Sequence, residues 1–333
     1  MTSIHTPQVR DETSPPGDND PTAFWLHDTA LELGAEAAVA QEFARTGQLR
    51  LNDVLLCVQP RSDEPDDWLA LARIERPLGV DHERWCQVLL DANGSLMLLA
   101  PWTFTIDDEG AALLVLRVPP SHFGDAVMLC GSLFGLLCTA EGLVQGLVEP
   151  QAAASPPAGA TAGARSTANE DAAAIGAAIK ASMAQPAFTA PMQALVRHAV
   201  KALGGDEAAQ RQVIEQCSLR VGPVDIAVVA DIEGHALVLS ADFGPDAITG
   251  ARDAAAVLAG NLDLLGLAGL AMGRLAGRVM LLGRWDVDEA PDDGEERAAL
   301  FAAWLIDFAE LSQAIGAAAT AGRRHSFVGR RSI

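Results

Sequence analysis

The sequence predicts an α+β fold built twice: two tandem domains, each a twisted, mainly antiparallel sheet with helices in the order α-β-β-α-β-β(-β)-α. Residues 89–118 read LLDANGSLMLLAPWTFTIDDEGAALLVLRV, a helix end followed by paired strands. A weaker copy starts at Val257, VLAGNLDLLGLAGLAMGRLAGRVMLLGRW, with Asn261 falling where Asn93 fell and Gly277 close to where Gly110 marks the turn. The matched positions lie about 168 residues apart, which points to a duplication. A chain of 333 residues agrees with two domains, and a 50% hydrophobic content is enough to give each half a core.

Residues 1–23 are polar, acidic and proline-bearing, with no periodic apolar face and no signal-peptide pattern, and read as a disordered N-terminus. The first domain, 24–148, opens on an amphipathic helix from Asp28 in which Leu31, Ala35, Val39 and Phe43 recur every four residues. Leu51 to Gln59 and Trp68 to Arg76 follow as a hairpin of aliphatic strands around the acidic loop RSDEPDD. A second helix starts at Asp81, a suitable N-cap, presents Trp85, Val88 and Leu89 on one face and ends at Asn93-Gly94. Strands are expected over Leu96 to Trp102, Thr103 to Ile106 and Ala112 to Val118, with a turn at Asp107-Asp108-Glu109-Gly110.

Pro119 and Pro120 stop the sheet, and Ser121 opens an apolar helix that reaches Leu147. Its charge-free part, Ala126 to Ala140, covers about 15 residues, short of the roughly 20 that a bilayer span needs, so it reads as a buried helix. Residues 149–170 are Ala, Pro and Gly-rich and form a linker whose flexible reach is near 25 Å.

The second domain, 171–318, begins with an alanine-rich piece, Asp171 to Met183, and an amphipathic helix carrying Met192, Leu195, Val196, Ala199, Val200 and Leu203. A short helix, Asp206 to Gln216, has no counterpart in this reading of the first half. The shared order then resumes with a hairpin, Val224 to Asp231 and His235 to Phe243, a helix from Asp246 to Leu265, two strands turning near Gly277 and a helix from Glu295 to Ile315. Residues 319–333, with Arg323, Arg324, Arg330 and Arg331, read as a basic disordered tail.

A net charge of -21 sets the surface against phosphate backbones and anionic headgroups, so neither nucleic acid nor membrane insertion is expected. Five cysteines without metal-ligand spacing point to reduced thiols in a reducing compartment. The seven histidines are scattered singly, so no metal site is expected. Phosphate-binding, dinucleotide-binding and nucleophile-elbow motifs are absent, and the acidic runs lack calcium-loop spacing, so no cofactor and no catalytic residue is expected.

On this element order, with LLDAN leading into strands that turn at DDEG, the first half, about residues 24–148, resembles the class I type III secretion chaperones. The second half, about 188–318, is similar by order and by VLAGN. The resemblance implies a cytoplasmic, acidic, dimer-forming domain without catalytic residues that binds the extended N-terminal region of a secreted effector, possible contact with secretion-apparatus components included. Strand addition and side-chain pockets suit such a client, and an edge of eight or nine residues would offer roughly 27 to 30 Å. Leu31, Val39, Phe43, Val54, Leu56 and Trp68 are the expected client-facing side chains, with ordinary core as their other reading. The two halves are expected to form an intramolecular pseudo-dimer through Trp85, Val88, Leu89, Val257 and Leu258. Two other readings stay open: a structural or regulatory subunit of the apparatus, and a small-molecule binder or enzyme with a pocket between the halves.

Overall fold

The first half of the chain begins with α1 (Pro21–Glu32) because Asp20 accepts the Thr22 amide at 2.9 Å and Pro21 supplies a helix-compatible φ at the first position. Gly34, with φ of 84°, ends it, and α2 (Ala37–Thr46) follows. Strands β1 (Gln48–Leu51), β2 (Val54–Pro60) and β3 (Trp68–Ile74) lead to α3 (His82–Leu96), then to β4 (Trp102–Ile106) and β5 (Ala112–Arg117). A 3-10 turn over Pro120–His122 precedes α4 (Ala126–Ala153), whose first amides, Val127 and Met128, are capped by Asp125. The computed structural model describes residues 20–61, 67–153, 188–245, 247–248, 250–287 and 294–329.

The second half repeats this order: α5 (Ala190–Ala202), α6 (Glu207–Gln216), β6 (Ser218–Val221), β7 (Val224–Ala230), β8 (Ala236–Gly244), α7 (Ala251–Ala268), β9 (Leu270–Leu275), β10 (Arg278–Asp286) and α8 (Gly294–Gly329). Each half holds one five-stranded antiparallel sheet, ordered β1-β2-β3-β5-β4 and β6-β7-β8-β10-β9. The α+β class and the two tandem sheets are therefore as the sequence predicts.

Several elements differ in detail, each for a local reason. The four-residue spacing of Leu31, Ala35, Val39 and Phe43 runs across two helices, because Gly34 takes a left-handed conformation that a continuous helix cannot hold. Consequently α6, read from sequence as an extra helix, has a counterpart in α2, and a short strand, β1 or β6, follows each. The apolar run at Leu96 to Trp102 is not a strand; α3 continues to Leu96 and the chain then turns through residues 97–99. Helix α4 starts at the Asp125 cap rather than at Ser121 and continues to Ala153, and the α8 backbone continues to Gly329, through Arg323 and Arg324. Of the stretch 1–23 expected to be disordered, Pro21 to Ala23 instead form the first turn of α1, because Asp20 caps it; residues 1–19, the linker from residue 154 and the alanine-rich piece at 171–183 lie outside the described residues.

Two compact units are built from segments of both halves. The first unites residues up to Leu90 and Pro101–Pro156 with Gly250–Leu267, so it contains the first sheet and α7 of the second half. The second unites Pro157–Thr249 and Ala268–Ile333 with Asp91–Ala100, so it contains the second sheet and the last turn of α3.

In the first unit the sheet is covered on both faces, which is why β3 and β5 read as nearly unbroken apolar runs. Helix α4 packs against β2, β3 and β5, burying Leu129, Leu133, Leu136 and Ala140. On the other face Leu69, Leu71, Leu113 and Val115 close over Leu265, with Cys57 and Leu262 packed alongside. Alternation along the strands sends these odd-numbered side chains one way and Ala70, Ala72 and Leu114 the other. In the second unit Met97 packs with Ala271, Leu282 and Met280. There α8 buries Phe301, Leu305 and Phe308, and Trp285 meets Phe301 and Trp304 at ring separations of 5.1 and 5.6 Å.

Candidate functional site

The six side chains expected to face a client divide sharply. Phe43, Val54 and Leu56 are buried in the first unit, Phe43 from α2 and the other two from β2, and so have no surface to offer. Leu31 and Val39, each 42% exposed, remain on the surface. Trp68 is half-buried in an aromatic triad, 5.9 Å from Trp25 and 6.2 Å from Phe123, with Trp25 donating its indole N–H to the Asp125 carbonyl.

Sequence reasoning missed a larger set of exposed apolar side chains in the same unit. Phe24 on α1, Phe123 before α4, and Val127, Met128 and Phe134 on α4 are all exposed, Val127 by 65% and Phe134 by 59%. Helix α1 packs against α4, so these residues belong to neighbouring elements. The signal was present as an α4 sequence apolar around its whole circumference, which a helix with one face on a sheet does not require. The stretch Ala126–Leu147, 22 residues, is also long and apolar enough to cross a membrane, as is Gly294–Ala318, by length and composition only. Both helices contribute buried side chains to the cores described above.

The five residues expected to join the halves all fall in the first unit. Trp85, Leu89 and Leu258 are buried, while Val88 and Val257 are half-buried. Trp85 donates its indole N–H to the Gly110 carbonyl, and the Leu258 carbonyl accepts the Thr105 hydroxyl at 2.7 Å. The stronger links between segments of the two halves are elsewhere. Asn261 of α7 donates its side-chain amide to the Phe104 carbonyl of β4 at 3.1 Å, within the first unit. Asn93 of α3 does the same to the Met272 carbonyl of β9 at 3.2 Å, within the second. Both asparagines are buried, and Phe104 and Met272 hold equivalent places, facing Leu114 and Leu281 across their strand pairs. Asn93 and Asn261 were visible in sequence as matched marks, but their bonding partners were not.

Charged groups reinforce the same contacts. Arg274 makes a two-pronged pair with Asp91, at 2.6 and 2.9 Å, whose bonds raise the guanidinium above its ordinary range. Arg61 pairs with Asp67 at 2.8 Å and donates to the Gly266 carbonyl at 2.6 Å. Each sheet has one edge strand, β4 or β9, with a carbonyl taken by a buried asparagine, and its opposite edge is β1 or β6. Each is four residues long, about 13 Å, half the edge expected from sequence.

All five cysteines are free thiols. Burial pushes the Cys57 thiol up from 9.0 to about 11, against a small opposing effect of Arg73. The unfolded chain therefore ionises this thiol first. The folding contribution is complete below pH 9 and is lost as pH rises to about 11, up to about 2–3 kcal/mol. Urea unfolding from pH 8 to 11 should show this fall, and Cys57→Ala should shrink it. Some decline should remain, since burial also raises Cys86, Cys130 and Cys217. An unchanged alkaline decline in Cys57→Ala would place the effect elsewhere.

Among the described residues no three His, Cys, Asp or Glu side chains group as a metal site. Comparison of the chain with family models, curated proteins and solved structures finds no match to any of them.

Proposed function

We propose that the chain is a type III secretion chaperone-like protein of the cytoplasm that binds the extended N-terminal region of a secreted effector and keeps it soluble and competent for export. It acts by binding, without turnover, metal or cofactor, and its two halves serve as an intramolecular pseudo-dimer. The observation that carries this reading is the set of exposed apolar side chains on α1, α2 and α4, Phe24, Leu31, Val39, Val127, Met128 and Phe134, on a domain whose core is already filled. Such a surface suits an apolar segment of a non-globular client. The reciprocal bonds of Asn93 and Asn261 support the pseudo-dimer, since an isologous pairing places equivalent residues in equivalent contacts.

The test is recovery of the protein from its native host with whatever it holds, read by native mass spectrometry. A secreted protein bound through its N-terminal segment is expected. The double variant Leu31→Asp with Val39→Asp should retain it at least about tenfold less well. Recovery of apparatus components, or of a small molecule alone, would replace the reading by one of its alternatives. Light scattering should give a mass near 34.8 kDa, and a stable dimer of chains would count against the pseudo-dimer.

A further inference from the structure

The two reciprocal helix-on-strand contacts are equivalent in their asparagines but not in the residues beside them. Where α3 meets β9, glycine stands on both sides. A methyl group on Gly273 would lie 2.7 Å from the Gly94 nitrogen and 3.0 Å from the Asn93 carbonyl carbon. One on Gly94 would lie 2.7 Å from the Arg274 carbonyl carbon and overlap its oxygen. Both are closer than side-chain carbons come to backbone, so this crossing exists only because neither residue has a Cβ. Where α7 meets β4, the corresponding positions carry side chains. Leu262 occupies the place of Gly94, and Thr105 the place of Gly273, its hydroxyl donating to the Leu258 carbonyl.

We propose that Gly94 and Gly273 form a pairing code by which the first half of the chain accepts the second half and rejects a copy of itself. In the α3–β9 geometry, pairing two first halves would bring Thr105 against Gly94, where even a methyl group does not fit. Pairing two second halves would bring Leu262 against the Arg274 carbonyl, with the same result. Each like-with-like pairing supplies one glycine and one side chain, which the α3–β9 geometry cannot hold and which would leave the Leu262 and Thr105 contacts of the α7–β4 geometry half made. The asparagines, being the same in both halves, favour every combination equally, so the glycines supply the discrimination. The kind of partner this surface fits is therefore the other half of the same chain, and chain-swapped or like-with-like assemblies are disfavoured. The inference rests on the pseudo-dimer part of the proposed function and is independent of any client.

The test uses the full chain carrying a protease site within residues 154–170, cut after folding. Unlabelled and isotopically heavy preparations are mixed, allowed to exchange, and the fragment pairs are read by native mass spectrometry. First-with-second pairs are expected, with like pairs at least about tenfold rarer than random partition gives. Thr105→Gly gives the first half both glycines, and first-with-first pairs should then rise about tenfold or more. Like pairs at random abundance in the unaltered protein, or no rise with Thr105→Gly, overturn the proposal. Should that variant not fold, the intact chain decides. Gly94→Ala and Gly273→Ala should each lower the melting temperature by about 2 °C or more, while Gly260→Ala, whose added methyl group meets open space, should not. Equal effects at all three positions would also overturn it. No client enters these measurements, so their failure leaves client binding untouched, and failure to find a client leaves the pairing code standing.

Discussion

Replacing Asp231 by alanine should destabilise the second unit by about 3–5 kcal/mol, the largest loss expected from a single charged residue here. Its side chain is 1% exposed and faces Arg284, 9% exposed, at 2.6 Å. The other carboxylate oxygen accepts the amides of His235 and Ala236 at 2.8 and 3.0 Å, closing the β7–β8 hairpin. Alanine leaves a buried guanidinium whose remaining carboxylate partner among the described residues is Asp286, and removes the acceptor of both amides. Asp231→Asn should cost less, because an amide oxygen still accepts one of the N–H groups. Chemical denaturation with hydrogen exchange on β7 and β8 would check this. Equal stability of the aspartate and alanine proteins would mean that solvent relaxes around Arg284 far more than its burial implies.

Leu265→Ala should cost about 2–5 kcal/mol, and the loss should appear in a sheet that lies far away in sequence. Leu265 belongs to α7, in the second half, yet its side chain is sealed among Leu69, Leu71, Leu113 and Val115 of β3 and β5. Truncation leaves a cavity against a sheet already packed by α4 on its opposite face, so little can collapse into the space. Amide protection of β3 and β5 should fall, while that of β8 and β10 should hold more nearly. Loss confined to the α7 amides, with β3 and β5 unchanged, would contradict the packing described.

Of the six side chains read from sequence as client-facing, Leu31 and Val39 lie on the surface, Trp68 is half-buried, and Phe43, Val54 and Leu56 lie in the core. Leu31 and Val39 were placed on one face with Phe43 by a continuous four-residue spacing. Gly34 interrupts that spacing, and the two helices it creates turn Phe43 inward and leave the other two outside. Val54 and Leu56 alternate toward the α4-covered face of their sheet, as apolar residues of a covered strand must. Val127 and Phe134 carry no periodic signal of exposure, because α4 is apolar on every side and periodicity cannot rank faces that are equally apolar.

By itself the sequence determined the α+β class, the duplication and most strand and helix positions. These follow from local rules: turn residues with positive φ, the Asp81 cap, and the period of the apolar positions. WLALA and ALLVL admit no polar side, and the structure covers β3 and β5 on both faces. What covers the second face was decided only by tertiary structure. An apolar face specifies that it must be buried, not which segment buries it, and hydrophobic burial has no direction of its own. The choice of α7 for the first sheet, and of the α3 end for the second, rests on shape at a few backbone contacts: two buried asparagines that reach strand carbonyls and two glycines that let a helix approach a strand. Such fits depend on distances of a few tenths of an ångström between residues far apart in the chain, which residue spacing along one strand or helix does not encode.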